Sequence, residues 1–322
     1  MRSARGGYNE MRAMTNQQDT PIKGIFYLIG GVFVFSTQDV LIKYLSSGYP
    51  LFEIMFIRSL AAVVPCLVIV HFDSGLGSLK TKRMGAHIVR SALMFLSYSF
   101  YYLGIAVIPL ADAVALFYTS PFFVVILSIL FFKEQITVKR WISLITCFTG
   151  VLIILHPGSG TMVTAAIFPI LSALTYALSV LMIRRVAGSE SASTLGFSLV
   201  IFSIFISGGL GLFMGKGLAI SNSSLNLDFL TRAWIYPSTK DMGIMIGIGI
   251  FVSIGFYSLT QAYCVAKSST IAPFEYTGML PAVMWGFFLW NETPSFGSLT
   301  GILIILTSGI YLIRLETRNR GT

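Results

Sequence analysis

Charge is what this sequence has least of. Only 11% of its 322 residues are charged, against roughly 25% in an average soluble domain. That shortfall excludes a water-soluble globule, whose core would need a polar surface to cover it. Cysteine is nearly absent: Cys66, Cys147 and Cys264 all lie in apolar runs without CxxC spacing. Neither a disulfide framework nor a zinc site can be read from them, and no metal is expected. The three histidines, His71, His87 and His156, fall near the ends of apolar runs. With no HExxH, no Ser-His-Asp set and no Walker motif, catalytic hydrolysis and ATP-driven pumping are disfavoured, and no cofactor is expected. The opening stretch MRSARGGYNEMRAMTNQQDTPIKG lacks the apolar core of a signal peptide. Residues 1–21 read as a disordered cytoplasmic tail.

What the chain has instead is apolar length. Apolar and aromatic residues make up 55% of it and mean hydropathy is +0.80, so lipid is the expected solvent. A spanning helix takes about 20 residues. Apolar runs at 22–45, 52–71, 86–106, 112–132, 141–156, 162–183, 194–214, 242–263, 271–290 and 298–313 predict ten spans. With the N-terminus inside, the cytoplasmic segments collect 16 of the 22 lysines and arginines, as the positive-inside rule requires of an even span count with both ends inside. The net charge of +9 is therefore a topology signal. It does not point to nucleic acid, because no basic run is interleaved with stacking aromatics.

Self-similarity organises these spans. Phe117–Ile154 matches Glu275–Leu312 without a gap at an offset of 158 residues, placing Tyr118 on Tyr276, Thr119 on Thr277, Glu134 on Glu292 and Thr149 on Thr307. A weaker match at an offset of 141 puts Phe35 on Tyr176 and Lys43 on Arg184. The halves are residues 22–156 and 162–313, five spans each, with a short cytoplasmic tail at 314–322. Five is odd, so the second half must be inverted relative to the first. The fold class expected is an all-α integral membrane protein of ten transmembrane helices in two inverted five-helix repeats. Such repeats place a solute site near the midplane where they meet.

The strings FSTQDVLIKYLS, FIRSL, IPLADAVALFYTSPFF, APFEYTGMLPAVMWGFFLWNETP and GILIILTSGIYLI resemble the drug/metabolite transporter superfamily, and within it the ten-span proteins with two EamA domains. The resemblance covers about residues 20–315. It implies an inner-membrane, multi-pass carrier of small organic solutes that works by alternating access, with a cavity lined mainly by spans 1, 3, 4, 6, 8 and 9. The ninth span looks most like a branch that includes bacterial riboflavin and S-adenosylmethionine carriers. Members also export amino acids, so these three solute types are the candidate substrates. An integral membrane enzyme or a channel is the alternative class. The outer loop from Gly215 to Asp241 is longer and more polar than the family pattern.

Ionisable and polar groups inside spans are the functional candidates. Glu275, beside Pro273 at the start of span 9, is expected to carry a proton or contact a cationic group, or else to be a structural acid bonded to a neighbouring helix. Asp39 is a second proton-coupling candidate. It also lies one turn before Lys43, so a local ion pair is expected between them. Gln38 can both donate to and accept from a ligand. Arg58 is expected to find a partner across the bundle, with Asp39 proposed. Arg90 is expected to snorkel to the interface, and Asp112 to stabilise the start of span 4. Tyrosine hydroxyls at membrane depth each want a polar partner. Tyr98, Tyr102, Tyr118 with Thr119, Tyr176, and Tyr276 are candidates for holding a planar metabolite, with Gln261 and Trp285. Small residues such as Thr146, Gly150, Gly301, Ser308 and Gly309 read as close helix packing, within one chain or across a homodimer. The partners expected are a small-molecule substrate and the lipid bilayer.

Overall fold

The computed structural model describes residues 21–81, 83–132, 137–155, 165–186, 190–214, 216–217, 228–266, 271–293 and 295–318. The expected N-terminal tail lies outside them except for Pro21, as do the side chains of Cys147 and Tyr276 and the residue His156. Every described element is helical. In chain order they are α1 (Pro21–Ser46), α2 (Leu51–Asp73), α3 (Met84–Val107), α4 (Leu110–Phe117), α5 (Ser120–Phe132), α6 (Val138–Leu155), α7 (Ile167–Val186), α8 (Ala192–Met214), α9 (Asp228–Thr231), α10 (Thr239–Val265), α11 (Met279–Trp290) and α12 (Phe296–Arg318). Short 3-10 turns cover Leu76–Leu79 and Ala272–Gly278.

Among the described residues, six stretches are long and apolar enough to cross a membrane, the continuous run Leu110–Phe131 among them, and four shorter apolar helices accompany them. Large apolar side chains such as Phe26, Phe72, Leu212 and Phe213 are exposed on the outside, as a lipid-facing surface requires. The chain is an all-helical, multi-pass membrane protein. Two expected spans differ in detail. Span 4 is interrupted at Tyr118–Thr119, giving α4 and α5, and span 9 opens with the 3-10 turn before becoming α11. Pro121 and Pro281 fall in the first turns of α5 and α11, where a missing amide costs no helical hydrogen bond. They therefore punctuate helices more than they kink them. The last helix continues to Arg318, past the span end expected at 313.

Lipid offers helices no hydrophobic reason to associate, so close packing and interhelical hydrogen bonds must hold them together. α1 lies along α10, α3 along α7, α2 along α8, and α6 along α12. Ser97 Oγ on α3 donates to the Ser172 carbonyl on α7 at 3.0 Å, and Ser143 Oγ on α6 to the Ser308 carbonyl on α12 at 2.9 Å. Ser308, one of the small residues expected at a close contact, thus packs on α6 within one chain. Gly249 on α10 shows how tight the contacts are: a methyl placed there would stand 2.6 Å from the Arg58 carbonyl oxygen of α2. Gly249→Ala should lower stability by about 1–3 kcal/mol, read as a lower melting temperature in detergent. Gly247→Ala, where nothing lies within 4 Å, should leave it unchanged or slightly raised.

The loop from Gly215 to Asp241 is not loosely tethered where it is described. Arg232 donates to the Ser47 carbonyl at 3.0 Å, the Ile235 amide to Glu53 Oε2 at 3.2 Å, and the Ser238 amide to Tyr49 Oη at 3.2 Å. Tyr49 in turn donates to Asp241 at 2.7 Å. Residues 232–241 are laced to the α1–α2 junction, and this gives the buried Glu53 its partner. Residues 218–227 of the loop lie outside the described residues.

Candidate functional site

A cavity of about 90 Å³ opens where α1, α3, α4, α7, α10 and the Ala272–Gly278 turn with α11 converge. These correspond to spans 1, 3, 4, 6, 8 and 9, the six that the family resemblance implied. α1 contributes Val32, Phe35, Ser36 and Asp39, and α3 contributes Ser97, Tyr98 and Tyr101. Phe117 and Tyr118 face it from the break in span 4, Ser172 and Tyr176 from α7, and Glu275 and Gly278 from the 3-10 turn.

Glu275 is buried, 3% exposed. Its Oε1 accepts a hydrogen bond from Tyr176 Oη at 2.6 Å and another from Tyr263 Oη. The turn explains the placement. The chain enters span 9 as a tighter 3-10 segment, Ala272–Gly278, with Pro273 in its first turn. Asp39 is held by Tyr101 Oη at 2.9 Å. An aromatic arc joins the two acids: Phe117 lies 5.3 Å from the Tyr101 ring and 5.2 Å from the Tyr176 ring. Gly278 is a close approach, since a methyl there would stand 2.2 Å from Tyr118 Oη.

Of the residues singled out from sequence, Asp39, Tyr98, Tyr118, Tyr176 and Glu275 meet in this cavity. Gln38, Tyr102, Thr119, Gln261 and Trp285 lie outside its lining. Gln38 and Tyr102 stand just behind it: Gln38 Nε2 and Arg58 Nη1 each donate to Tyr102 Oη at 2.7 Å, and Tyr102 stacks on Tyr98 with centroids 5.7 Å apart. Thr119 turns its hydroxyl to the Leu116 carbonyl at 2.8 Å. Tyr101, Phe35 and Phe117 are lining residues absent from the sequence-derived set. Tyr101 differs from Tyr102 only in register on α3, which apolar patterning does not resolve.

Three electrostatic expectations are corrected. Lys43 does not pair with Asp39 one turn away; its Nζ lies 2.5 Å from Glu292 Oε1. Arg58 does not reach Asp39. It is 1% exposed, donates to Tyr102, and lies over the Tyr98 and Tyr102 rings at 5.6 and 5.0 Å. Arg90 does not snorkel: at 2% exposure it donates to the Leu195 carbonyl at 2.8 Å and to Thr260 Oγ1 at 3.2 Å. Asp112 does sit in the first turn of α4, but the amide at that helix start, Leu110 N–H, donates to Glu292 Oε2 at 2.9 Å.

Glu292 is the residue that sequence reasoning used only as a repeat marker. Asn291 ends α11 in the left-handed region with φ 52°, a conformation asparagine tolerates better than most residues. The turn brings the Glu292 amide to the Gly286 carbonyl at 3.1 Å. Its carboxylate then ties α1, through Lys43, to the start of α4.

A multi-pass helical protein with a small, aromatic, acid-bearing cavity enclosed between its spans has the build of a membrane transporter. Residues 22–156 match the model of the EamA-like transporter family. It is similar over nearly its whole length to an S-adenosylmethionine uptake transporter of Rickettsia conorii, 24% identical over 305 residues, covering 95% of this chain and 97% of that one. A riboflavin transporter of Rhizobium johnstonii is 29% identical over 244 residues, covering 76% and 75%. A pseudopaline exporter of Pseudomonas aeruginosa is 26% identical over 295 residues, covering 91% and 96%. One crystal structure of a protein shares the fold, with a TM-score of 0.66 at 14% identity, covering 92% of this chain and 98% of that one.

Proposed function

We propose that this chain is a secondary transporter that moves a small organic metabolite across the inner membrane by alternating access. In this reading it has ten spans in two inverted repeats, residues 22–156 and 162–313, with both termini cytoplasmic. The observation that carries it is the position of the cavity, lined by three spans from each half and holding Asp39 from one and Glu275 from the other.

The helix contacts support the repeat. If span 1 corresponds to span 6 and span 3 to span 8, the α1–α10 contact and the α7–α3 contact are the same contact exchanged between halves. The α2–α8 and α6–α12 contacts map onto themselves, and all four pairs are present. The two irregular spans, 4 and 9, are also repeat mates. Interrupted helices of this kind free backbone groups at a midplane site.

Glu275 is the best candidate for proton coupling, with Asp39 second. Each is a carboxylate inside the bilayer, where an ionised group is retained only for a purpose or with a partner. The names of the similar proteins, together with the family branch, make S-adenosylmethionine, riboflavin and amino acids the first solutes to test. A thermal-shift screen of the purified protein against these compounds is the direct experiment. A ligand at 100 times its Kd adds about 2.7 kcal/mol of stability. The solute that raises the melting point of the native chain should fail to do so in Glu275→Gln. An equal shift in both would remove Glu275 from the site.

A further inference from the structure

Resting on the reading of the central cavity as the solute site, we infer that it selects an organic cation carrying a flat or apolar part, over an anion or a neutral solute. The argument is one of charge balance. Asp39 and Glu275 enter from separate walls, α1 and the 272–278 turn, and the side chains that hold them are the neutral hydroxyls of Tyr101, Tyr176 and Tyr263. Among the described residues, no lysine, arginine or histidine lines the cavity.

The nearest buried cations stand behind the wall and are bonded to neutral groups. Arg58 is bonded to Tyr102 and covered by the Tyr98 and Tyr102 rings, and Arg90 is bonded to the Leu195 carbonyl and Thr260. They moderate the field from behind the wall without occupying it. A charge in direct contact outweighs one a side chain further back, because the Coulomb energy falls with distance. A positively charged solute supplies what the two carboxylates lack. An anion would meet both at close range. The faces of Phe117 and Tyr118 between the acids attract a cation further and give a planar group a surface to stack on.

The charge preference can be read without knowing the solute. With Cys66, Cys147 and Cys264 replaced by alanine, a single thiol is introduced by Val114→Cys in the cavity wall. It is reacted with trimethylammonioethyl methanethiosulfonate or with sulfonatoethyl methanethiosulfonate, which are of similar size and opposite charge. After correction for their intrinsic rates with a free thiol, the cationic reagent should react faster by about tenfold or more, equivalent to about 1.4 kcal/mol. Adding Asp39→Asn and Glu275→Gln should bring the ratio close to one. If the pair does not fold together, Glu275→Gln alone should lower the ratio in the same direction. Equal rates on the parent thiol, or a cation preference that survives neutralisation of the acids, would overturn the inference while leaving transport itself standing. Failure of both reagents to react would overturn it together with the water-accessible cavity on which it rests.

Discussion

Glu275→Gln should lower saturable solute uptake about 10- to 100-fold and flatten its dependence on pH, with the fold intact. The substitution is chosen to be conservative. An amide oxygen can still accept from Tyr176 and Tyr263, which both bond to Oε1, so the site keeps its shape while losing its charge. A hydrogen bond to a charged group is worth about 1.5–3 kcal/mol, against about 1 for a neutral one. Loss of that charge in the state that moves solute accounts for a rate effect of the stated size. Uptake into proteoliposomes across a pH series, with the melting temperature as a folding control, separates the possibilities. An unchanged rate with an unchanged pH profile would make Glu275 a structural acid.

The second large effect concerns Glu292, and it falls on stability and on closure of the cavity. Its two oxygens serve different elements: Oε1 pairs with Lys43 at 2.5 Å and Oε2 accepts from the Leu110 amide at 2.9 Å. The pair is mostly buried, with side-chain exposures of 11% and 21%. Glu292→Ala leaves a lysine ammonium without its carboxylate and a helix start without its acceptor. Breaking a fully buried pair costs about 3–5 kcal/mol, and partial exposure reduces this to about 2–3. The lost cap adds about 1.

Charge exchange gives a sharper test of that division. Lys43→Glu with Glu292→Lys restores the ion pair, but a lysine at 292 cannot accept from the Leu110 amide. The exchanged protein should therefore melt between the native chain and Glu292→Ala. Full recovery would show that the cap contributes nothing. Because Lys43 and the start of α4 belong to elements that wall the cavity and Glu292 joins them, Glu292→Ala should also make a thiol at Val114→Cys react faster with a soluble reagent. Equal reactivity would mean that this contact does not help close the cavity.

The sequence makes the helical plan legible because each run is apolar over bilayer length and is bounded by charges. Within LADAVALFYTSPFFVVILSILFF the only local mark of the interruption is the short Thr119–Ser120–Pro121 stretch, too brief to divide an apolar run of bilayer length. The structure shows it because two helices with separate first turns meet there. The aromatic lining was partly legible: Tyr98, Tyr118 and Tyr176 emerge from the rule that intramembrane hydroxyls need partners. Tyr101 and Phe117 could not be separated from packing aromatics, since position around a helix alone decides who faces the cavity.

Ion pairing was the least legible feature. Spacing on one helix suggested Asp39 for Lys43, whereas the partner lies 249 positions away in sequence. Likewise Arg58 was matched to a carboxylate by charge, and the fold supplies the Tyr102 hydroxyl and two ring faces. Long-range pairs depend on helix packing that a single sequence does not encode in any local pattern. The repeat at an offset of 158 singled out Glu292 by its match to Glu134, but what it binds could be read only after folding.

Counterflow tests the central claim most directly. Proteoliposomes loaded with an excess of the unlabelled solute identified by thermal shift are diluted into a trace of the labelled compound. A carrier that alternates a single central site between the two sides should draw label in above its equilibrium level, transiently and saturably, and Glu275→Gln should slow and diminish the overshoot. Label that only equilibrates, at a rate linear in concentration and indifferent to Glu275, would contradict alternating access through this cavity.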